Sequence, residues 1–261
     1  MTLTNNTGNY AVVNGLKMYY EVHGEGFPLV LIHGGGSDIY VTFGRVLHLF
    51  AQNHKVIAVD LQAHGRTPDR GVPTSFEQDA DDVAALLKSL DIKQADVLGF
   101  SNGGNTAMQV AIRHPQLVHK IVIASSFYKR SGFFSGFWDF MQNGSLDTMP
   151  KPLQDAFLAI NNDPEALQIM YNRDRDRMLI FEDWDDDAIR SITMPALVIA
   201  GDKDVISPKH SLELYRLLPN AQLCILPAGH GDYIGDIDEV AGEKEYPAVA
   251  IIEEFLAGGK A

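Results

Sequence analysis

Six short, unbroken apolar runs recur along this chain: Leu29 to Ile32, Val56 to Val59, Val97 to Phe100, Ile121 to Ala124, Ala196 to Ala200 and Leu223 to Leu226. A strand wetted on one face alternates apolar with polar, whereas a run that is apolar at every position is buried on both faces, as in a parallel sheet covered by helices. Several runs are β-branched and most are separated by helix-length segments, which selects an α/β architecture. Ahead of them, Tyr10 to Val13 and Leu16 to His23 flank Asn14-Gly15, a pair suited to a two-residue turn, so the chain opens with an antiparallel hairpin.

Helices fill the gaps. Phe76 to Leu90 carries Val83, Leu86, Leu87 and Leu90 at three-to-four spacing, with Ser75 as its cap and Gln78 three residues on. Thr106 to Arg113 follows the third run; Lys209 to Leu218 is opened by Pro208 and stopped by Pro219; Ala248 to Leu256 is ended by Gly258-Gly259. From Lys129 to Met194 no strand-like run occurs, and the segment is rich in aromatics and charges. It reads as a helical insertion, dividing the chain into a core of residues 1–128 and 195–261 and a cap of residues 129–194. Placed there, the cap lies over the carboxyl ends of the strands, where open α/β sheets bind ligands.

With 261 residues, 46% of them hydrophobic, the chain can bury a substantial core. Its net charge of −13, from 21 Lys+Arg against 34 Asp+Glu, argues against nucleic acid as a partner, because phosphate contacts need a basic surface. The single cysteine, Cys224, excludes an internal disulfide and reads as small filler in a strand. The first ten residues are mostly polar and do not form a secretion signal, and the apolar runs are too short to cross a bilayer. A cytoplasmic location without a membrane partner is expected; the sequence does not set the oligomeric state.

Chemistry concentrates at Gly99-Phe100-Ser101-Asn102-Gly103, where an apolar run meets a helix. Small residues two before and two after a serine permit a sharp strand-to-helix turn that presents its hydroxyl above the sheet, the geometry of a nucleophile elbow. A nucleophilic serine needs a base, an acid to orient the base, and donors for the oxyanion. His33-Gly34-Gly35-Gly36 directly follows a strand and suits an oxyanion loop, with the amides of Gly35 and Asn102 as donors. Of nine histidines, His210 and His230 alone follow a plausible late acid; His210 sits within a helix, whereas His230 lies in a glycine-flanked loop straight off a strand, and is the expected base. Asp202 and Asp204 compete as acid, and Asp204 is preferred for its place in the loop proper; Asp202 serves as a turn former. Ser125-Ser126 leaves no carboxylate after the preceding strand, and Asp232 and Asp236 are lesser alternatives.

These pieces, with Asp60-Leu61-Gln62-Ala63-His64-Gly65-Arg66-Thr67, resemble the α/β-hydrolase superfamily in its single-domain form with a helical cap, over nearly the whole chain. The resemblance implies a mostly parallel, eight-stranded sheet flanked by helices. It also implies a cofactor-free, metal-free serine hydrolase acting on a small carboxylic ester or related acyl substrate. Ser101 would attack, His230 shuttle the proton and Asp204 hold His230. Serine at the nucleophile position disfavours dehalogenases and epoxide hydrolases, which use aspartate. A perhydrolase or haloperoxidase-like enzyme, a carbon–carbon hydrolase and a ligand receptor are the alternatives. In such enzymes the Asp60 to Thr67 segment is similar to a structural turn, so His64 receives no catalytic role.

In the segment immediately after the strand Ile121 to Ala124, Phe127, Tyr128, Phe134 and Trp138 are the candidate pocket residues, drawn from an aromatic cluster that also holds Phe133, Phe137, Phe140 and Met141. Arg173-Asp174-Arg175-Asp176-Arg177 alternates in sign and reads as a solvated face. Of Glu182 to Asp187, the later aspartates cap a short helix near Ala188. No metal-ligand spacing stands out elsewhere.

Overall fold

All six runs are strands, preceded by the expected hairpin. A computed structural model describes residues 8–237 and 246–258. Gly259 and the opening residues 1–7, on which the helix stop and the leader reading partly rest, lie outside the described residues. The strands are β1 (Asn9–Val13), β2 (Leu16–His23), β3 (Phe27–Ile32), β4 (His54–Val59), β5 (Ala95–Phe100), β6 (Val118–Ala124), β7 (Ala196–Gly201) and β8 (Ala221–Leu226). They form one eight-stranded sheet in the order β1-β2-β4-β3-β5-β6-β7-β8. Only the β1–β2 and β2–β4 pairings are antiparallel. The reversal of order between β3 and β5 makes the strand ends at β3 and β5 a crevice, the usual ligand position in such sheets.

The helices are α1 (Ile39–Phe43), α2 (Leu47–Phe50), α3 (Phe76–Ser89), α4 (Asn102–Arg113), α5 (Phe137–Asn143), α6 (Lys151–Asn161), α7 (Pro164–Ile180), α8 (Asp186–Arg190), α9 (Pro208–Leu217) and α10 (Pro247–Leu256). Period-two geometry sends successive side chains to opposite faces. Thus Val30 and Ile32 join Val83, Leu87, Met108 and Leu214 in one layer beneath α3, α4 and α9, while Leu29 and Leu31 join Phe43, Phe50 and Ile252 under α1, α2 and α10. Because both faces are covered, both sets must be apolar, hence the unbroken runs.

One run departs from the rule. In β8, Leu223 and Cys224 are half-buried and Ile225 is exposed, because this strand is last in the sheet and is paired on one side only among the described residues. Helix starts follow local chemistry: the Ser75 hydroxyl accepts the Gln78 N–H, Ser207 accepts His210 N–H, and Asp185 accepts Asp187 N–H at the start of α8. Between β6 and β7 the chain runs through α5 to α8, and its apolar residues gather in two small clusters, one around Phe127, Met178 and Phe181 and one around Met149, Phe157 and Met170.

Candidate active site

Ser101 joins β5 to α4 with φ +51° and ψ −123°, a conformation that non-glycine residues adopt at a cost. The glycines around it give the backbones room. A β-carbon on Gly99 would lie 2.1 Å from the Gly103 carbonyl oxygen, and one on Gly103 would lie 2.2 Å from that of Ile32. Asn102 is the first residue of α4, so its N–H has no acceptor within the helix and points from the positive end of the helix dipole.

The serine, histidine and aspartate come from three separate strand ends and meet. His230 Nε2 lies 3.1 Å from Ser101 Oγ, and His230 Nδ1 lies 2.7 Å from Asp204 Oδ1. A carboxylate only accepts, so Nδ1 carries the proton and Nε2 is left to accept from the serine hydroxyl. The Asp204 side chain is fully buried. Burial pushes its carboxyl up, but His230, the Ser125 hydroxyl and the Ile206 N–H outweigh this and hold it below the usual carboxylate range. Asp202 does what a turn former does, accepting the Ala228 N–H at 3.0 Å in the loop leading to His230. Asp232 accepts the Gly229 N–H at 2.7 Å, and Asp236 sits against Gly231. His210 is buried and stacked on Tyr128, and burial pushes it down to about 4.

Gly35 stands opposite Asn102. A β-carbon there would fall 2.4 Å from the Asn102 side-chain nitrogen and 3.0 Å from Asp174 Oδ2, so the loop of residues 34–36 is held against both side chains. Together with Ser101, His230, Gly35, Gly36 and Asn102, residues of the β6–β7 insertion enclose a cavity of about 300 Å³. Its wall is largely Phe127, Phe133, Phe137, Phe140, Met141, Met149, Leu153, Met170 and Met178, with Val205 and Ile206 from the Asp204 loop.

Of the four expected pocket rings, Phe127 lines this cavity and three do not. Tyr128 is buried behind it on His210, Phe134 is 51% exposed, and Trp138 turns its N–H to the Arg130 carbonyl at 2.9 Å beneath that residue's guanidinium. Each is the chain neighbour of a ring that does face inward: Phe127, Phe133 and Phe137. Consecutive side chains leave the backbone in different directions, so an aromatic run cannot all face one space.

The alternating charges of α7 also depart from a solvated face. Arg177 is 4% exposed and Asp174 lines the cavity. Asp174 Oδ2 accepts the Gly36 N–H at 2.5 Å and the His64 Nε2–H at 2.9 Å, and Oδ1 accepts from Arg177. Burial pulls His64 down, yet the Asp174 charge and hydrogen bond leave it above the ordinary imidazole value. Burial pushes Asp174 up, but the His64 and Arg177 charges hold it well below the usual range. Asp174 and Ser125 were not among the expected site residues. For Ser125 the signal is a hydroxyl at the end of β6, beside the strand that leads to Asp204; for Asp174 no local pattern exists, since Gly36 is 138 residues away.

With this geometry in view, the matches to known proteins are coherent. The alpha/beta hydrolase fold family matches residues 28–175, and the chain belongs to that family. The 2-hydroxymuconate semialdehyde hydrolase of Pseudomonas sp. (strain CF600) is 27% identical over 90% of this chain and 96% of its own length. Serine hydrolase BPHL of Homo sapiens is 29% identical over 90% of this chain and 84% of its own. The solved structure of a serine hydrolase involved in carbazole degradation shares the fold, with a TM-score of 0.79 at 20% identity, covering 97% of this chain and 99% of that one. The class is serine hydrolase of α/β fold. Among the described residues no helix is long and apolar enough to cross a membrane.

Proposed function

We propose that this protein hydrolyses a small, apolar carboxylic ester or related acyl compound through an acyl-enzyme on Ser101. The observation that carries the reading is the unbroken relay from Asp204 through His230 to the Ser101 hydroxyl, at 2.7 and 3.1 Å. Ser101 Oγ adds to the carbonyl carbon as His230 Nε2 takes its proton, and buried Asp204 stabilises the imidazolium. The Gly35 and Asn102 N–H groups receive the oxyanion; His230 then returns the proton to the leaving alkoxide, and water repeats the sequence to release the acid. The core of residues 1–128 and 195–261 supplies the relay and the 129–194 cap most of the acyl pocket. The apolar wall favours an alkyl or aromatic acyl group.

Ser101→Ala is expected to abolish turnover of p-nitrophenyl esters, and to abolish labelling by a fluorophosphonate probe, with the far-UV circular dichroism unchanged. Full activity in that variant would remove Ser101 as nucleophile. Carbon–carbon hydrolysis is the second reading, favoured by the likeness to a semialdehyde hydrolase. Product analysis on matched esters and β-diketones separates the two.

A further inference from the structure

Among the residues that line the largely apolar cavity, Asp174 is the only carboxylate. A bare anion beside a site where negative charge develops would oppose the reaction, yet this one is built in. It receives the Gly36 N–H at 2.5 Å, and that bond fixes the plane of the Gly35–Gly36 peptide, adjacent to the peptide that bears the Gly35 N–H. The same carboxylate lies where a β-carbon on Gly35 would be 3.0 Å from it, so the loop is both held and pressed from α7.

Its charge is answered on two sides. His64 Nδ1 faces the Gln62 carbonyl at 2.8 Å and Nε2 faces Asp174 at 2.9 Å. Both partners only accept, so both ring nitrogens carry hydrogen and His64 is an imidazolium. Arg177 bridges Asp174 and Asp79, reaching the latter at 2.7 Å. His33, a further titratable neighbour, is neutral: its Nε2 accepts the Leu61 N–H at 3.0 Å while Nδ1 donates to the Gly34 carbonyl.

We propose that Asp174 is a positioning residue for the hydrolysis, gripping the oxyanion loop through Gly36 from the cap helix α7 while His64 and Arg177 neutralise its charge. This rests on the acyl-enzyme reading above. A grip of this kind acts where the oxyanion forms and not on ground-state binding, which separates it from a tie that only fastens the cap.

Asp174→Asn keeps the volume and removes the charge. It is expected to lower kcat on p-nitrophenyl butyrate roughly 10- to 100-fold with KM within about threefold, as for partial loss of an oxyanion donor. Affinity for an arylboronic acid, whose tetrahedral adduct on the serine places an oxygen in the oxyanion site, should fall by a similar factor. His64→Gln, which removes the cation and retains a donor, is expected to act in the same direction and decides the matter if Asp174→Asn does not fold. Asp176→Asn, on the exposed side of the same helix, is the control and should leave both readouts unchanged. A folded Asp174→Asn or His64→Gln protein with kcat and boronate affinity within twofold of the parent, or with a change in KM alone, would overturn the proposal. Absence of fluorophosphonate labelling at Ser101 in the parent protein would instead sink the acyl-enzyme reading itself.

Discussion

Asp204 illustrates how a buried carboxylate is kept ionised. Its side chain is fully buried, and its charge is met by the His230 Nδ1–H, the Ser125 hydroxyl and the Ile206 N–H. Ser125 is itself within 2.6 Å of the buried Tyr233 hydroxyl, so the donor is held in place. A hydrogen bond to a charged group contributes roughly 1.5–3 kcal/mol. Ser125→Ala is therefore expected to slow hydrolysis roughly 10- to 150-fold, read as kcat in steady-state kinetics at neutral pH. An unchanged kcat would remove Ser125 from the support of the acid.

At the scale of elements, the joint between the sheet and the cap is aromatic. Phe76, the first residue of α3, makes edge contacts with Phe127, Phe181 and Trp184, at centroid separations of 6.2, 6.2 and 6.0 Å, and the Arg177 guanidinium lies 4.6 Å from its ring. Truncating a buried ring of this kind leaves a cavity and costs about 3–5 kcal/mol. Phe76→Ala is expected to lower the urea midpoint accordingly and to reduce activity, because Arg177 loses the surface that holds it. A midpoint equal to that of the parent would mean that α3 and the cap pack independently. The caps of α3, α8 and α9 are legible in sequence, since Ser75, Asp185 and Ser207 act on N–H groups two or three residues away. The content of α7 is not: its charges alternate as on a wet surface, and only the packing of the cap against Thr74, Asp79 and Gly36 buries Asp174 and Arg177.

For the molecule as a whole, buried titratable groups set how stability responds to pH. Burial, reinforced by the charge on His64, pushes His33 down to about 3, whereas an unfolded imidazole titrates near about 6.5. Below that unfolded value the unfolded chain binds a proton that the folded one refuses. The stability carried by neutral His33 is thus complete above about 6.5 and is lost as the pH falls toward about 3. Asp60 and Asp79 act in the opposite sense. Burial raises them to about 7 and about 6, so their contribution is present at low pH and declines as pH rises through those values. His33→Gln is expected to flatten the acid side of the stability curve, measured as urea midpoints between about pH 4 and 7; curves running parallel to the parent's would exclude His33 as the source.

The eight strands, the hairpin, the elbow at Ser101 and the order serine, aspartate, histidine are determined by the amino-acid sequence alone. Each rests on interactions within a few residues: two-sided burial of a strand, a turn's need for glycine, a cap's reach to the next amides. Choosing Asp204 over Asp202 draws on the same local logic, with the loop beyond the strand against the turn at its end. Tertiary structure alone decided that Phe127 faces the cavity while Tyr128 backs onto His210, that the Ser125 hydroxyl donates to Asp204, and that α7 sends a carboxylate onto Gly36. Those outcomes depend on which distant surfaces meet, and desolvation and hydrogen bonding between segments 79 to 138 residues apart leave no periodic trace in the chain.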